Sequence, residues 1–193
     1  MNRKFPVFLA SLAGMSSLVG EINPQSDWPW WRGPTRDSHA AADANPVTTF
    51  SPTENVLWKV PVPGRGHASP TIVGNRIFLA TADAEKETQS VLALDRMTGK
   101  TLWSTQVNKG GFPGKIHPKN THASSTVACD GDHVFSLFYN NDALQVTALK
   151  VSDGKVVWDE KLGPYKPKQY EFGYGASPLI HGCLLYTSPS PRD

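Results

Sequence analysis

The chain has 193 residues, enough for one domain of ordinary size with a hydrophobic core. Its 16 glycines and 16 prolines, with short apolar runs between turn residues, are typical of an all-β protein. Nineteen basic and 17 acidic side chains give a net charge of only +2, so a basic surface for nucleic acid or anionic lipid is not indicated.

The first 20 residues differ in composition from the rest. Arg3 and Lys4 form a short basic start, residues 5–19 carry no charge, and small residues precede Glu21. This is the pattern of a secretory signal, and the apolar stretch is shorter than the roughly 20 residues of a spanning helix. We expect residues 1–20 to be a signal peptide, with a periplasmic or extracellular mature protein that has no membrane span. A retained anchor and a wrongly assigned start codon are the alternatives.

The other end departs from the repeat pattern described below. Residues 185–193 resemble translated sequencing-adapter sequence, so we expect residues 183–193 to be a non-native tail without strand pairing to the preceding blade. A natural Ser/Pro-rich tail is the alternative. Cys129 is the only cysteine outside this tail, which gives no disulfide framework.

Two stretches of the chain repeat with an offset of 55 residues. Ala93–Trp103 and Ala148–Trp158 share an Ala-Leu start, a Gly-Lys pair and a final tryptophan. Upstream, His67–Ile72 matches His122–Val127 at the same offset, and a third unit covers residues 157–178. So many matches in one register indicate a repeat architecture.

Each unit is predicted to form four short antiparallel strands. In the first unit these are residues 69–73, 76–81, 90–94 and 100–107, and an opening strand at residues 56–60 precedes them. Gly74 and Asn75 suit a two-residue hairpin turn, and Asp95 can cap the turn in which Gly99 takes a left-handed conformation. Four-stranded units of about 50 residues stack around an axis, so the sequence predicts an all-β fold, a partial β-propeller of four-stranded antiparallel blades.

Residues 93–103 match the Ala-x-Asp-x-x-Thr-Gly-Lys-x-x-Trp tryptophan-docking motif, and the chain therefore resembles the PQQ-like, quinoprotein alcohol dehydrogenase-like propellers of exported bacterial type. The second copy departs from the motif at Lys150 and Asp153. The resemblance implies that three tryptophans pack between adjacent blades, with the last two largely buried: Trp58, Trp103 and Trp158.

The resemblance covers residues 54–182, which would form an incomplete propeller of about two to three blades, since family members have about six to eight. Residues 21–53 form an N-terminal segment before the propeller, and its stretch 28–37 is similar to the opening of many exported members.

Histidines and serines at repeat positions are candidates for chemistry. His67 and His122 share one repeat position, which favours a structural role, and His117 with His122 makes only a weak metal signal because no third ligand accompanies them. Three serines follow alanine at equivalent positions without the strand–turn–helix context of a nucleophile, and we interpret them as blade packing: Ser69, Ser124 and Ser177.

Two glycine pairs precede predicted inner strands. Gly64 with Gly66, and Gly173 with Gly175, lead into strands and not helices, so phosphate loops are not predicted. Basic and aromatic side chains alternate in one Pro-interrupted loop, where a solvated loop is favoured over nucleic-acid binding: Lys161, Tyr165, Lys166, Lys168 and Tyr170.

The resemblance also implies a possible cofactor, pyrroloquinoline quinone with calcium. The chain has no vicinal cysteine pair, and its Asp and Asn residues lie mostly in predicted turns, where turn chemistry explains them: Asp95, Asp130, Asp132, Asn140, Asn141, Asp142 and Asp153. No catalytic residue, metal ligand or cofactor ligand can be assigned.

The sequence and the resemblance leave two candidate functions. The first is a non-catalytic exported scaffold that presents loops to a protein or glycan partner, resembling the propeller lipoproteins of outer-membrane assembly, although a lipidation cysteine is not found after the predicted signal. The alternative is a PQQ- and calcium-dependent quinoprotein dehydrogenase acting on an alcohol or sugar.

Overall fold

The computed structural model describes residues 20–167 and 172–187. The predicted signal peptide therefore lies outside the described residues except for Gly20, as do the last six residues of the predicted tail. Within the described ranges no helix is long and apolar enough to cross a membrane.

All regular structure in these ranges is β-strand, in three antiparallel sheets. Blade 1 contains β1 (Thr71–Val73), β2 (Arg76–Asp83), β3 (Thr88–Asp95) and β4 (Thr101–Lys109). Blade 2 contains β5 (Ala128–Cys129), β6 (His133–Asn140), β7 (Ala143–Lys150) and β8 (Val156–Pro164). A two-stranded sheet of β9 (Leu179–His181) and β10 (Leu184–Tyr186) begins the third unit.

The two blades share one strand order and one register. Each is a meander in which consecutive strands pair, β1-β2-β3-β4 and β5-β6-β7-β8. Ala93 pairs with Trp103 and Ala148 pairs with Trp158, and a register shift follows each alanine. The all-β fold of four-stranded antiparallel blades is confirmed, and the shared shift shows that the 55-residue repeat extends to backbone detail.

The predicted opening strand at residues 56–60 is wrong. These residues form no β-ladder in the described part of the chain. In both blades the tryptophan strand is the fourth and pairs with the third, as β4 pairs with β3. Among the described residues, residues 56–60 have no earlier strand of their own blade beside them. Their backbone therefore joins no ladder.

Part of the predicted tail forms a hairpin. Tyr186 pairs with Leu179 in the register that pairs Phe78 with Thr71 in blade 1, and Gly182 occupies the turn. Residues 184–186 of the predicted tail thus pair with β9 as the second strand of the third unit, and the described part of the tail makes no ladder with blade 2. The foreign origin of residues 183–193 stays a prediction.

The core lies between the two blades. One buried cluster takes Phe78, Val91 and Trp103 from blade 1, and Val134 and Leu149 from blade 2. Alternating side chains of β2, β3, β6 and β7 supply this apolar surface because one face of each blade meets its neighbour. The blades stack through these faces, and short inner strands lie side by side.

Topology gives the stacked blades two ends. The turn face carries the short β1–β2 and β3–β4 turns and their blade 2 equivalents, at residues 74–75, 95–100, 130–132 and 150–155. The long-loop face carries the β2–β3 and β6–β7 turns and the two long connections, residues 110–127 and 165–178.

Candidate functional site

The Trp103 side chain joins blade 1 to blade 2. It is 9% exposed, its indole N–H donates to the Val151 carbonyl at 3.0 Å, and its ring lies 5.9 Å from that of Phe78. A Cβ on Gly154 would come within 2.5 Å of the indole, so glycine is what allows the ring to lie on this turn. The predicted docking of Trp103 between blades is confirmed.

Trp58 makes the same contacts one blade earlier. Its N–H donates to the Arg96 carbonyl at 2.9 Å, and a Cβ on Gly99 would lie 2.6 Å from its ring. Docking therefore needs only the tryptophan and the receiving turn, since residues 56–60 dock without being a strand.

The predicted burial of Trp158 is wrong. The ring lies 5.9 Å from Phe135 of its own blade but is 40% exposed. No further motif turn receives it among the described residues, so only one of its two faces is packed.

The motif turns of the two blades differ in how they are capped. In blade 1 the Asp95 carboxylate accepts hydrogen bonds from Met97 N–H at 3.0 Å, Thr98 N–H at 2.8 Å and the Thr98 hydroxyl at 2.8 Å. The Thr98 hydroxyl, with the backbone donors, lowers the pKa of Asp95. In blade 2 Lys150 stands at this position, and the Asp153 carboxylate accepts from Lys155 N–H at 3.1 Å and pairs with the Lys155 ammonium at 3.1 Å.

Other predicted turn residues behave in two ways. Asp130 accepts from Asp132 N–H at 2.9 Å and His133 N–H at 2.7 Å, as a turn residue should. Asn140 differs from the prediction, because it is 2% exposed and donates to the Gly110 carbonyl at 2.7 Å. It therefore fastens β6 to the connection that leaves blade 1.

The N-terminal segment is fastened to the inner strands, which the sequence did not indicate. Asp27 is buried and accepts from Asn23 N–H at 2.8 Å and Gly74 N–H at 2.9 Å. Trp28 forms a two-way bridge with Ile72. The only sequence signal was the position of Asp27 directly before the tryptophan-rich stretch. Gly74, which donates to Asp27, lies 47 residues away in the sequence.

The same segment reaches blade 2 and the third unit. The Pro29 carbonyl accepts from Cys129 N–H at 2.8 Å, and the Arg36 guanidinium donates to the Ile180 carbonyl at 2.7 Å while lying 5.0 Å from the Trp30 ring. The segment therefore contacts the inner strands of three successive units.

The long-loop face is built of aromatic side chains. Asn120 in the first connection donates to the Phe172 carbonyl in the second, and the rings of His117 and Phe172 lie 5.4 Å apart. Tyr165 contacts Tyr174 edge-on at 5.2 Å. The structure thus brings together two loops that the sequence could only place separately, and we call these five residues the aromatic platform.

The predicted histidines occupy three different settings. His122 stacks on Phe112 with ring centroids 4.0 Å apart, and burial lowers its pKa. The His67 side chain is exposed, and the backbone N–H of His67 donates to the Ala123 carbonyl. His117 Nδ1 accepts from the backbone N–H of Lys119 at 3.2 Å. The described residues contain no group of three or more His, Cys, Asp or Glu side chains that could hold a metal ion.

The repeat serines lie at contacts between units. Ser69 N–H donates to the Thr126 hydroxyl at 3.0 Å, and Ser177 Oγ accepts from Thr126 N–H at 3.0 Å. Ser124 Oγ donates to the Asn120 carboxamide within the first long connection. Among the described residues none of these serines hydrogen-bonds to a histidine side chain.

The glycine pairs and the basic loop have ordinary packing roles. A Cβ on Gly64 or on Gly66 would come within 2.6 Å of carbonyl oxygens of β2, so both allow close approach of backbones. In the basic loop Lys161 is exposed and Lys166 pairs with Asp142 at 3.2 Å. The Tyr165 hydroxyl donates to the Gly173 carbonyl at 3.3 Å, while Lys168 and Tyr170 lie outside the described residues.

Comparison with known proteins finds a family model, a relative and a solved structure that are similar to this chain. The family model described as outer membrane protein assembly factor BamB, PQQ_2, matches residues 35–175. Quinoprotein ethanol dehydrogenase of Pseudomonas putida is 32% identical over 101 residues, which cover 52% of this chain and 15% of that protein. The crystal structure of BamB from Moraxella catarrhalis aligns with 67% of this chain and 36% of that chain, at 18% identity and a TM-score of 0.44.

The chain spans only a small part of the length of these relatives. The family model nevertheless matches well over half of the chain, including both complete blades and the docking motifs that carried the resemblance. The chain therefore belongs to the PQQ-like repeat family of β-propellers.

Proposed function

We propose that this chain is part of an exported, non-catalytic propeller scaffold that binds a protein partner through its long-loop face. The observation that carries the proposal is the aromatic platform, in which two long connections are locked to each other and Phe172 is left 52% exposed. Loops held by a rigid β-scaffold are common binding elements.

The exposed rings of the platform, His117 and Phe172, suit a protein partner, whereas Tyr174 is 9% exposed and packs in a second buried cluster. Aromatic side chains lose little conformational entropy on binding and are enriched among the residues that anchor protein interfaces. Lys166 and Asp142 form an exposed ion pair at its edge, which supplies the polar rim of such an interface. Family membership supports the proposal by analogy, since the matching model is described as an assembly factor.

A site-specific cross-linking experiment tests the proposal. A photoreactive amino acid at Phe172 should capture a protein in the intact cell envelope, and the same group at Met97 should not. Met97 is the matched control because it is 62% exposed but lies on the turn face. Equal capture at both positions, or none at Phe172, would contradict the proposal.

A quinoprotein dehydrogenase is the second candidate, supported by the 32% identity to the ethanol dehydrogenase. Calcium needs six to eight oxygen ligands. Asp95, Asp130 and Asp153 already accept backbone hydrogen bonds in separate turns, and no cluster of three metal-binding side chains exists among the described residues. No ligand to calcium can therefore be named among the described residues.

The two candidates are separated by reconstitution. The full-length protein would be mixed with Ca²⁺ and pyrroloquinoline quinone, then assayed for bound quinone absorbance and dye-linked alcohol oxidation. The scaffold proposal expects neither signal. Stoichiometric quinone binding with turnover would establish the enzyme instead.

Export is tested at the N-terminus. We infer export from the composition of residues 1–20. Fusing these residues to a reporter that is active only outside the cytoplasm should give reporter activity. A fusion with Arg3 and Lys4 changed to glutamate should give less, and equal activity of both fusions would contradict a signal role.

A further inference from the structure

A groove on the turn face, between the two blades, has no assigned role. Its volume is about 530 Å³, large enough for a small ligand or a few peptide residues. We call it the inter-turn groove, and three segments form its walls with Gly20 and Glu21 at one side: Val73–Arg76, Gly131–His133 and Lys150–Ser152.

The motif turn of blade 2 lacks the carboxylate that caps the turn of blade 1. In blade 1, Asp95 Oδ1 accepts from the N–H groups of Met97 and Thr98. The equivalent donors in blade 2 are Ser152 N–H and Asp153 N–H, and neither has a hydrogen-bond partner among the described residues.

The backbone hydrogen bond that closes the turn is the same in both blades. Gly99 N–H donates to the Asp95 carbonyl, and Gly154 N–H donates to the Lys150 carbonyl at 2.9 Å. The two backbones therefore present the same pair of donors, and Lys150 in place of Asp95 makes this turn a cradle with a positive charge beside it. Successive backbone N–H groups of this kind bind anions.

The groove holds further donors for an anion. Arg76 lines it, and the buried Nε of Arg76 has no hydrogen-bond partner among the described residues. An unpaired buried donor is unfavourable, so an acceptor that reaches it would be stabilising. His133 also lines the groove, and its Nδ1 lies 3.5 Å from Asp130.

Two acidic side chains limit the charge of the ligand. Asp132 and Glu21 line the groove, and neither forms an ion pair with Lys150 or Arg76 among the described residues. Asp153, on the turn itself, is paired with Lys155 at 3.1 Å, which leaves Lys150 and Arg76 against the carboxylates of Asp132 and Glu21. This balance favours a singly charged group over a doubly charged phosphate.

We propose that the inter-turn groove binds a carboxylate group, one oxygen of which takes the place that the Asp95 carboxylate has in blade 1. That oxygen accepts from Ser152 N–H and Asp153 N–H, and the Lys150 ammonium neutralises it. The carboxylate belongs either to a free organic acid or to an acidic residue of a bound peptide.

Amide chemical shifts of the ¹⁵N-labelled full chain test the site. Acetate should move the Ser152 and Asp153 amide proton signals downfield, whereas acetamide, its neutral isostere, should not. The peptide acetyl-Gly-Gly-Asp-amide is compared with its Asn counterpart. Tighter binding of the Asp peptide than of acetate assigns a peptide source, and equal binding assigns a free organic acid.

Two variants make the test decisive. Lys150→Asp removes the cation and supplies an internal carboxylate for the same two N–H groups, so it should weaken acetate binding at these amides by about tenfold or more while the fold is retained. Asp132→Asn removes a competing carboxylate and should tighten binding. Unmoved Ser152 and Asp153 signals at high acetate, or unchanged binding in Lys150→Asp, would overturn the proposal.

Discussion

Trp103 and Trp158 occupy the same position in two copies of one motif but have different surroundings. Each ring lies 5.9 Å from the phenylalanine of its own blade. Trp103 is 9% exposed because the Gly154 turn covers its other face, whereas Trp158 is 40% exposed.

This difference shows that the docking motif has two halves that work across a blade boundary. The tryptophan belongs to one blade, and the glycine turn that receives it belongs to the next. Stability in such repeats is approximately a sum of units and nearest-neighbour interfaces. A sequence motif therefore specifies a contact only when both halves are present.

Replacing the two tryptophans should give the largest difference. Trp103→Ala removes a ring packed on both faces and should lower the free energy of unfolding by roughly 3–5 kcal/mol. Trp158→Ala should cost less, about 1–2 kcal/mol, because only one face of its ring is packed. Urea unfolding followed by circular dichroism measures both, and equal losses would show that docking on Gly154 contributes nothing.

Changing the receiving glycine should have the next largest effect. Gly154 has φ of 71°, and an added Cβ would lie 2.5 Å from the Trp103 ring. Gly154→Ala should cost about 1–3 kcal/mol from overpacking in addition to about 1–2 kcal/mol for the left-handed backbone.

Gly182 is the matched control for Gly154. It has φ of 57° but nothing within 4 Å of an added Cβ, so Gly182→Ala should show only the backbone cost. The Trp103 part of the Gly154→Ala overpacking should disappear in a Trp103→Ala background, whereas the contact with Thr105 Oγ1, 2.8 Å from the added Cβ, stays. Additive losses in the double variant would contradict the contact.

Removing or adding a carboxylate at the motif turn should change the free energy of unfolding by less than the preceding substitutions, and the change should depend on pH. The Thr98 hydroxyl and backbone donors hold the pKa of Asp95 below its ordinary value of 3.8. A lowered native pKa stabilises the fold above the ordinary value, and the stabilisation is lost as pH falls through the native value.

Asp95→Asn should therefore be less stable than the parent chain at neutral pH and approach it in strong acid. The difference in unfolding free energy, measured from neutral to strongly acidic pH, isolates Asp95 from the other acids. Lys150→Asp should add a smaller acid-sensitive stabilisation to blade 2, because its backbone donors are equivalent but Asp153 stands where blade 1 has the Thr98 hydroxyl. A pH-independent difference for either variant would contradict the capping role.

Local patterns predicted most of the blade architecture but few of the long-range contacts. The strands of the blades and the Asp95 cap follow from spacing and turn chemistry within one repeat, whereas the docking of Trp103 was implied by the family resemblance. Asp27 and Asn140 could not be placed, because their partners Gly74 and Gly110 lie 47 and 30 residues away. The aromatic platform was missed for the same reason, since it joins two separate connections across space.

The two cysteines differ in exposure, so their thiol reactivity compares a buried strand of blade 2 with the exposed third unit without any substitution. Cys129 is fully buried, its N–H donates to the Pro29 carbonyl, and burial raises the pKa of its thiol to about 12. Cys183 is exposed. Because the thiolate is the reactive form, a disulfide reagent at mildly alkaline pH should label one thiol quickly in the native chain and both in urea. Cys183→Ser should remove the fast phase. Fast labelling that survives this change would mean that the N-terminal segment, which covers the backbone of Cys129, opens on the timescale of the reaction.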